Sequence, residues 1–160
     1  MSVINAAGGG PGSRAGEQAV DGFGMTYLPA GVGELVSDFT YEWEDVTFSS
    51  RVWEREVDGG HEVDLMMIVL RGPRLDSVEA LRGFLADFHE RDPDDWVLTE
   101  CRHGSAAAGF IAESEAFWLV EPGVAVTVRI APDRFGPDEL RATALGVRAA
   151  GPEPSGPAGD

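Results

Sequence analysis

The sequence predicts an α+β domain: an antiparallel β-sheet of about six or seven strands with two packed helices, in the order β-β-β-α-β-β-β-β-α. Three observations lead there. Short segments of period-two hydrophobicity recur along the chain, separated by turn residues rather than by helices. Only two stretches carry a helical period. No glycine-rich phosphate loop follows a strand, because Gly8-Gly9-Gly10 has no strand before it, so the parallel nucleotide-binding alternatives lose their main signature.

The elements follow in order. After the Pro-Gly entry loop "YLPAGVGEL", the segment "DFTYEWED" alternates Phe39, Tyr41 and Trp43 with Asp38, Thr40 and Glu42, a half-buried strand with one aromatic face. "VTFSSRVWERE" continues that alternation through Val46, Phe48 and Val52. Beyond the Asp58-Gly59-Gly60 turn, "VDLMMIVL" is almost wholly apolar, which predicts a central strand covered on both faces. In "LDSVEALRGFLADFHERDP", Val78, Leu81, Leu85 and Phe88 recur at three- and four-residue steps. Asp76 is the expected N-cap, Glu79 completes a capping box, and Pro93 ends the helix. At about 13 residues it spans roughly 20 Å. "WVLTEC", "AGFIAES", "EAFWLVE" and "VAVTVRIA" are the remaining strands, the last two joined through Pro122-Gly123 in a type II turn. "FGPDELRATALGVR" closes the chain as a helix with Pro137 in its first turn.

The termini read differently. Residues 1–24 are rich in Gly, Ala and Ser and predict a disordered leader; 149–160 repeat Pro and Gly and predict a disordered tail. The folded unit is expected over residues 25–148.

Of 160 residues, 28 are acidic and 12 basic, a net charge of −16 that repels phosphate backbones and anionic lipid, so neither nucleic acid nor direct membrane contact is expected. All 12 basic residues are arginine. Schiff-base or phosphate-binding lysine chemistry is therefore excluded. The single cysteine, Cys101, excludes an intrachain disulfide and a multi-cysteine zinc site. No apolar run of about 18 residues and no basic stretch with an apolar core after it are found. That is the pattern of a cytoplasmic chain, or of an extracytoplasmic one already trimmed of its leader.

The segment "TECRHGSAAAGF" gathers the residues that most suggest catalysis. Arg102-His103-Gly104 resembles the tripeptide of the histidine phosphatases, but that chemistry needs a second histidine downstream, and none of the residues after His103 is one. Cys101 and His103, two apart on a strand, share a face, the spacing a small Cys/His hydrolase would use. The alternation of Val97, Thr99 and Cys101 instead predicts a buried or half-buried structural thiol, and Ser105 lacks the glycine elbow of a serine nucleophile. His61, His89 and His103 never form the His-x-x-x-His pair of a helical metal site, so His89 reads as a helix cap. "ERDPDDW" lacks the glycine and terminal glutamate of a calcium loop. Glu42, Glu44 and Asp45 are sequence neighbours beside Trp43, not acids held across a sugar cleft. No catalytic residue, metal or cofactor is expected.

"TYLPAGVGEL", "RHGSAAAGF", "AFWLVEPGVAVTV" and "PDELRATALGVR" together resemble a small actinobacterial domain of unknown function, similar to the extracytoplasmic domain of some anti-sigma-factor-like and lipoprotein-like proteins. The resemblance implies a fold of hairpin-joined strands with a terminal helix, and it carries over no catalytic residue.

The expected function is thus a non-enzymatic binding or sensor-like module that acts through protein-protein or apolar-ligand contacts. The candidate contact residues are Trp43, Trp53, Trp96, Arg102 and His103. Trp53, opposite in face to Val52, would be the anchor if exposed. The alternative from another class is an acidic inhibitor or immunity protein that neutralises a basic partner.

Overall fold

The computed structural model describes residues 3–6, 19–103 and 107–149. The α+β expectation holds, with every strand pair antiparallel. The strands are β1 (Val3–Ala6), β2 (Phe23–Met25), β3 (Leu35–Trp43), β4 (Val46–Val57), β5 (Gly60–Arg71), β6 (Thr99–His103), β7 (Ala107–Ile111), β8 (Glu115–Glu121), β9 (Val124–Ile130) and β10 (Val147–Ala149). Helix α1 (Val78–Phe88) lies between β5 and β6, and α2 (Pro137–Leu145) follows β9. The main sheet runs β1-β3-β4-β5-β9-β8-β7-β6, and β2 pairs with β10 as a separate ribbon.

Turn chemistry sets the two long hairpins. Glu44 and Asp45 (φ 52° and 65°) join β3 to β4, and Asp58 and Gly59 (φ 45° and 82°) join β4 to β5. Both are two-residue turns with two left-handed residues, whose twist matches that of the strands they connect. Pro122 precedes Gly123 (φ 92°) between β8 and β9, as a type II turn requires.

Helices cover both faces of the sheet. Leu65, Met67 and Val69 of β5 join Val126, Val128 and Ile130 of β9 in a cluster with Leu140 and Ala144 of α2. Ile68 and Leu70 face the other way, to Leu81, Phe84 and Leu85 of α1. This is why the apolar run in β5 does not alternate: a strand with both faces buried has no polar side to offer. Each such fully buried side chain contributes roughly 1.5–3 kcal/mol.

Four details depart from the sequence reading. The folded part starts before residue 25, because Val20 and Phe23 are core residues and β1 pairs with β3 from Val3↔Tyr41 to Ala6↔Asp38. A Gly-Ala-Ser composition conceals a strand that only fills the open backbone of a neighbour. The remainder of the expected leader, and the tail from residue 150, lie outside the described residues. The helix N-cap is Ser77, not Asp76: its hydroxyl accepts a 3.0 Å hydrogen bond from the Ala80 amide, so Glu79 is not in capping-box register. "WVL" is not strand. Trp96 is buried against the α1 face, Val97 is 85% exposed, and β6 begins at Thr99. Finally, the chain returns after α2 as β10, with Met25↔Val147 closing the ribbon.

Candidate functional site

Two buried polar clusters and one exposed apolar strip are candidates. The first cluster forms where β4 and β5 lose register: Trp53 pairs Leu65 and Glu54 pairs Val63, which leaves Asp64 as the extra residue of a bulge. Its side chain is fully buried. The carboxylate accepts hydrogen bonds from the Gly33 amide at 2.9 Å, Arg55 Nε at 3.1 Å and Arg134 Nη1 at 2.5 Å, while its carbonyl accepts the Ala131 amide at 3.0 Å. The entry loop, β4 and the loop after β9 are thereby tied to one carboxylate. Oδ2 accepts from both Gly33 and Arg134 and Oδ1 from Arg55, so the carboxylate is held by two guanidinium groups and an amide and ties three segments of the fold together.

The second cluster lies under the end of α1. His89, the helix C-cap, places Nε2 at 3.0 Å from Glu115 Oε1, and the Thr127 hydroxyl donates at 2.6 Å to Oε2. The Glu115 side chain is 6% exposed and that of His89 10%. A carboxylate that orients an imidazole is a familiar catalytic pairing. Here Trp96 meets the His89 ring edge-on at 5.7 Å and Phe88 closes another side at 5.5 Å, so the pair fastens the helix end to β8 and β9 rather than facing substrate.

The strip is built by β3, β4 and β5 on the α1 side of the sheet. Register places Leu35, Ser37, Phe39, Tyr41 and Trp43 on this face, above Val52 and Phe48 of β4 and beside Met66 of β5. At the Trp43 end, Phe84 and Phe88 of α1 cover it, with ring centroids 5.3 and 5.4 Å from Trp43. Toward the start of β3 the cover ends. Leu35 and Val63 are each 43% exposed, and Phe39, Tyr41 and Met66 are half-buried. Tyr41 stacks on Phe48 at 4.7 Å and 16°. Burial pushes the Tyr41 hydroxyl's pKa up, and the Arg129 cation opposes that shift. Beside Met66, a recess of about 260 Å³ is lined by Val63, Asp64, Ser114, Arg129 and Ala131 among others. The strip, with Glu54 between Leu35 and Val63 and Ser37 between Leu35 and Phe39, adjoins a hollow that has Arg129 in its lining.

No family model matches this sequence, and no curated protein or solved structure matches it either. The functional reading accordingly rests on the residues themselves.

The structure disperses the five candidates. Trp53 is 1% exposed and belongs to the α2-side cluster, so the condition for its being an anchor is not met. Its Nε1 is buried without a hydrogen-bond partner. Trp96, 5% exposed, packs on Phe117 at 5.4 Å and carries the Arg91 guanidinium over its ring at 5.1 Å; it is core as well. Trp43 is half-buried at the covered end of the strip, the one tryptophan of the three that adjoins the exposed surface. Arg102 is exposed on β6, and His103 ends that strand. The rest of the turn, 104–106, lies outside the described residues. Cys101 is half-buried, and burial pushes its thiol's pKa up against the opposing pull of Arg141. Among the described residues, no three His, Cys, Asp or Glu side chains converge as a metal site. No helix among them is long and apolar enough to cross a membrane.

Sequence reasoning passed over Asp64 and Glu115. A signal for Asp64 was present, since an acid inside an apolar run must be paired when buried. Glu115 had none, as its partner His89 lies 26 residues away on another element.

Proposed function

We propose that the chain is a non-enzymatic binding module that seats a partner protein on the strip formed by Leu35, Phe39, Tyr41, Val63 and Met66. One observation carries the reading: these are the side chains that the chain's own helix α1 stops short of covering, on a face whose covered half is packed as core. Leu35 and Val63 stay exposed on either side of Glu54, and apolar side chains left open on one sheet face favour a contact role.

The partner's chemistry follows from charge. With a net −16, the field around the strip draws basic surfaces in and turns acidic ones away. The occupant is an apolar segment bordered by basic side chains, which also accommodates the second reading, an acidic inhibitor set against a basic active site. The resemblance to domains of anti-sigma-factor-like chains accords with a binding role. The raised pKa of Cys101 supports the non-enzymatic part, because a protonated thiol is a poor nucleophile.

The test is affinity capture from lysate of the source organism, with the wild-type protein and the double variant Leu35→Asp/Val63→Asp compared side by side. A basic protein retained by the wild type and depleted about tenfold or more on the variant supports the proposal. Equal capture by both, or capture of acidic proteins alone, overturns it.

A further inference from the structure

The main sheet ends at β6, whose far side pairs with no strand among the described residues. Exposed edges are normally blunted by charged side chains (lysine above all), proline, bulges or very short length. Here Thr99–His103 is a regular five-residue strand, in unbroken register with β7 from Thr99↔Ile111 to His103↔Ala107, and it contains neither proline nor lysine. Its charges are Glu100 and Arg102, both exposed and, being two apart, on the same face.

That pattern is complementary to itself. If two such strands meet antiparallel about a two-fold axis perpendicular to the sheet, opposed residues must share a face, so only registers centred on a residue are open. A centre at Glu100 opposes glutamate to glutamate, and a centre at Arg102 opposes arginine to arginine. A centre at Cys101 sets Glu100 against Arg102 of the second copy, and Arg102 against its Glu100. Opposite charges directly across a strand pair stabilise it and like charges destabilise it. The sequence of the edge thus selects one register out of those available.

We propose that β6 is a homodimer interface: two copies of this chain pair antiparallel through Thr99–His103, with the axis at Cys101 and two Glu100–Arg102 ion pairs. The two sheets become one continuous sheet, and the unpaired edge disappears. Val97, 85% exposed just ahead of the strand, adds apolar contact area at each end. A five-residue pairing buries less than the roughly 1,200 Å² of a standard interface, and the net charge of each chain opposes association, so the dimer is weak and concentration-dependent. This interface is separate from the strip proposed for the partner, and either proposal stands without the other.

Sedimentation equilibrium on the full chain, from micromolar to millimolar protein, reads the mass directly. Hydrogen exchange at both ends of that range locates the contact. The expected result is a monomer–dimer equilibrium with amides of 99–103 protected only at high concentration. Glu100→Arg and Arg102→Glu each turn both ion pairs into like-charge pairs and raise the dissociation constant at least about tenfold. The double variant E100R/R102E recreates the pairs in reverse and restores dimerisation, which also shows that the swapped residues do not impair folding. A monomer at every concentration overturns the proposal, as does a dimer that tolerates both single swaps or one that protects amides elsewhere.

Discussion

Gly33 and Asp64 meet where β4 and β5 fall out of step: the Gly33 amide donates a 2.9 Å hydrogen bond to Asp64 Oδ2. A Cβ on Gly33 would collide with the Glu54 carbonyl, so only glycine lets the entry loop approach the bulge closely enough to make that bond. Asp64→Asn removes the charge that holds Arg55 and Arg134 and is expected to cost about 2–4 kcal/mol. Gly33→Ala displaces the donor and costs a comparable amount. Because both act on one junction, the double variant is less destabilised than the sum of the singles. Urea unfolding of the four proteins checks this, and full additivity would refute a shared junction.

Ser77, rather than Asp76, is the residue whose loss weakens α1. Ser77→Ala removes the acceptor of the Ala80 amide and is expected to cost about 1 kcal/mol, whereas Asp76→Ala stays within about 0.5 kcal/mol. Thermal unfolding followed by circular dichroism distinguishes the two; a larger effect at Asp76 would restore the capping box.

That one-residue error shows how far the sequence was legible. Strong alternation in β3 and β4, the apolar run of β5 and the Leu81–Phe88 stripe each announce themselves locally, since periodicity follows from which side of an element is buried. Ser77 and Asp76 are adjacent good caps, and only the backbone's entry into the helix chooses between them. The short strands β1, β2 and β10 have no local signal, because they are fixed by partners far off in sequence, as Met25 is by Val147. Two of the candidate contact residues, Trp53 and Trp96, are core for a related reason. Tryptophan was read as contact surface, yet exposure depends on where α1 ends over the sheet, and no spacing rule encodes that.

Trp53 offers a sharper case. Its Nε1 is buried with no acceptor, so Trp53→Phe deletes an orphan donor at the same time as it removes volume. The two effects oppose each other, and the net change is expected within about 1 kcal/mol, against about 3–5 kcal/mol for Trp53→Ala. A Phe variant as unstable as the Ala variant would show that the indole N–H is satisfied in solution.

Alkaline conditions should destabilise the fold through Cys101 and Tyr41. Burial raises both pKa values, so the folded state holds these protons more tightly than the unfolded chain does. The resulting stability is intact below the unfolded pKa values and is lost as pH rises through the folded ones, in the range above about pH 9. Urea midpoints measured from pH 7 to 11 are expected to fall in that range and to fall less in the Cys101→Ser/Tyr41→Phe variant. An unchanged slope in the variant would place the alkaline sensitivity elsewhere.

The order of strands also bears on how the chain is made. The β5–β9 pairing joins Leu65 to Ile130 and Arg71 to Val124, and among the described residues it is the one strand pairing between the β3–β4–β5 meander and the one running from β6 to β9. During synthesis, Leu65 therefore emerges and waits for Ile130. At about 5–20 residues per second that wait lasts roughly 3–13 s. Throughout it, a strand that carries the run Leu65–Leu70 has one bare edge, an interval in which a chaperone can act on yield.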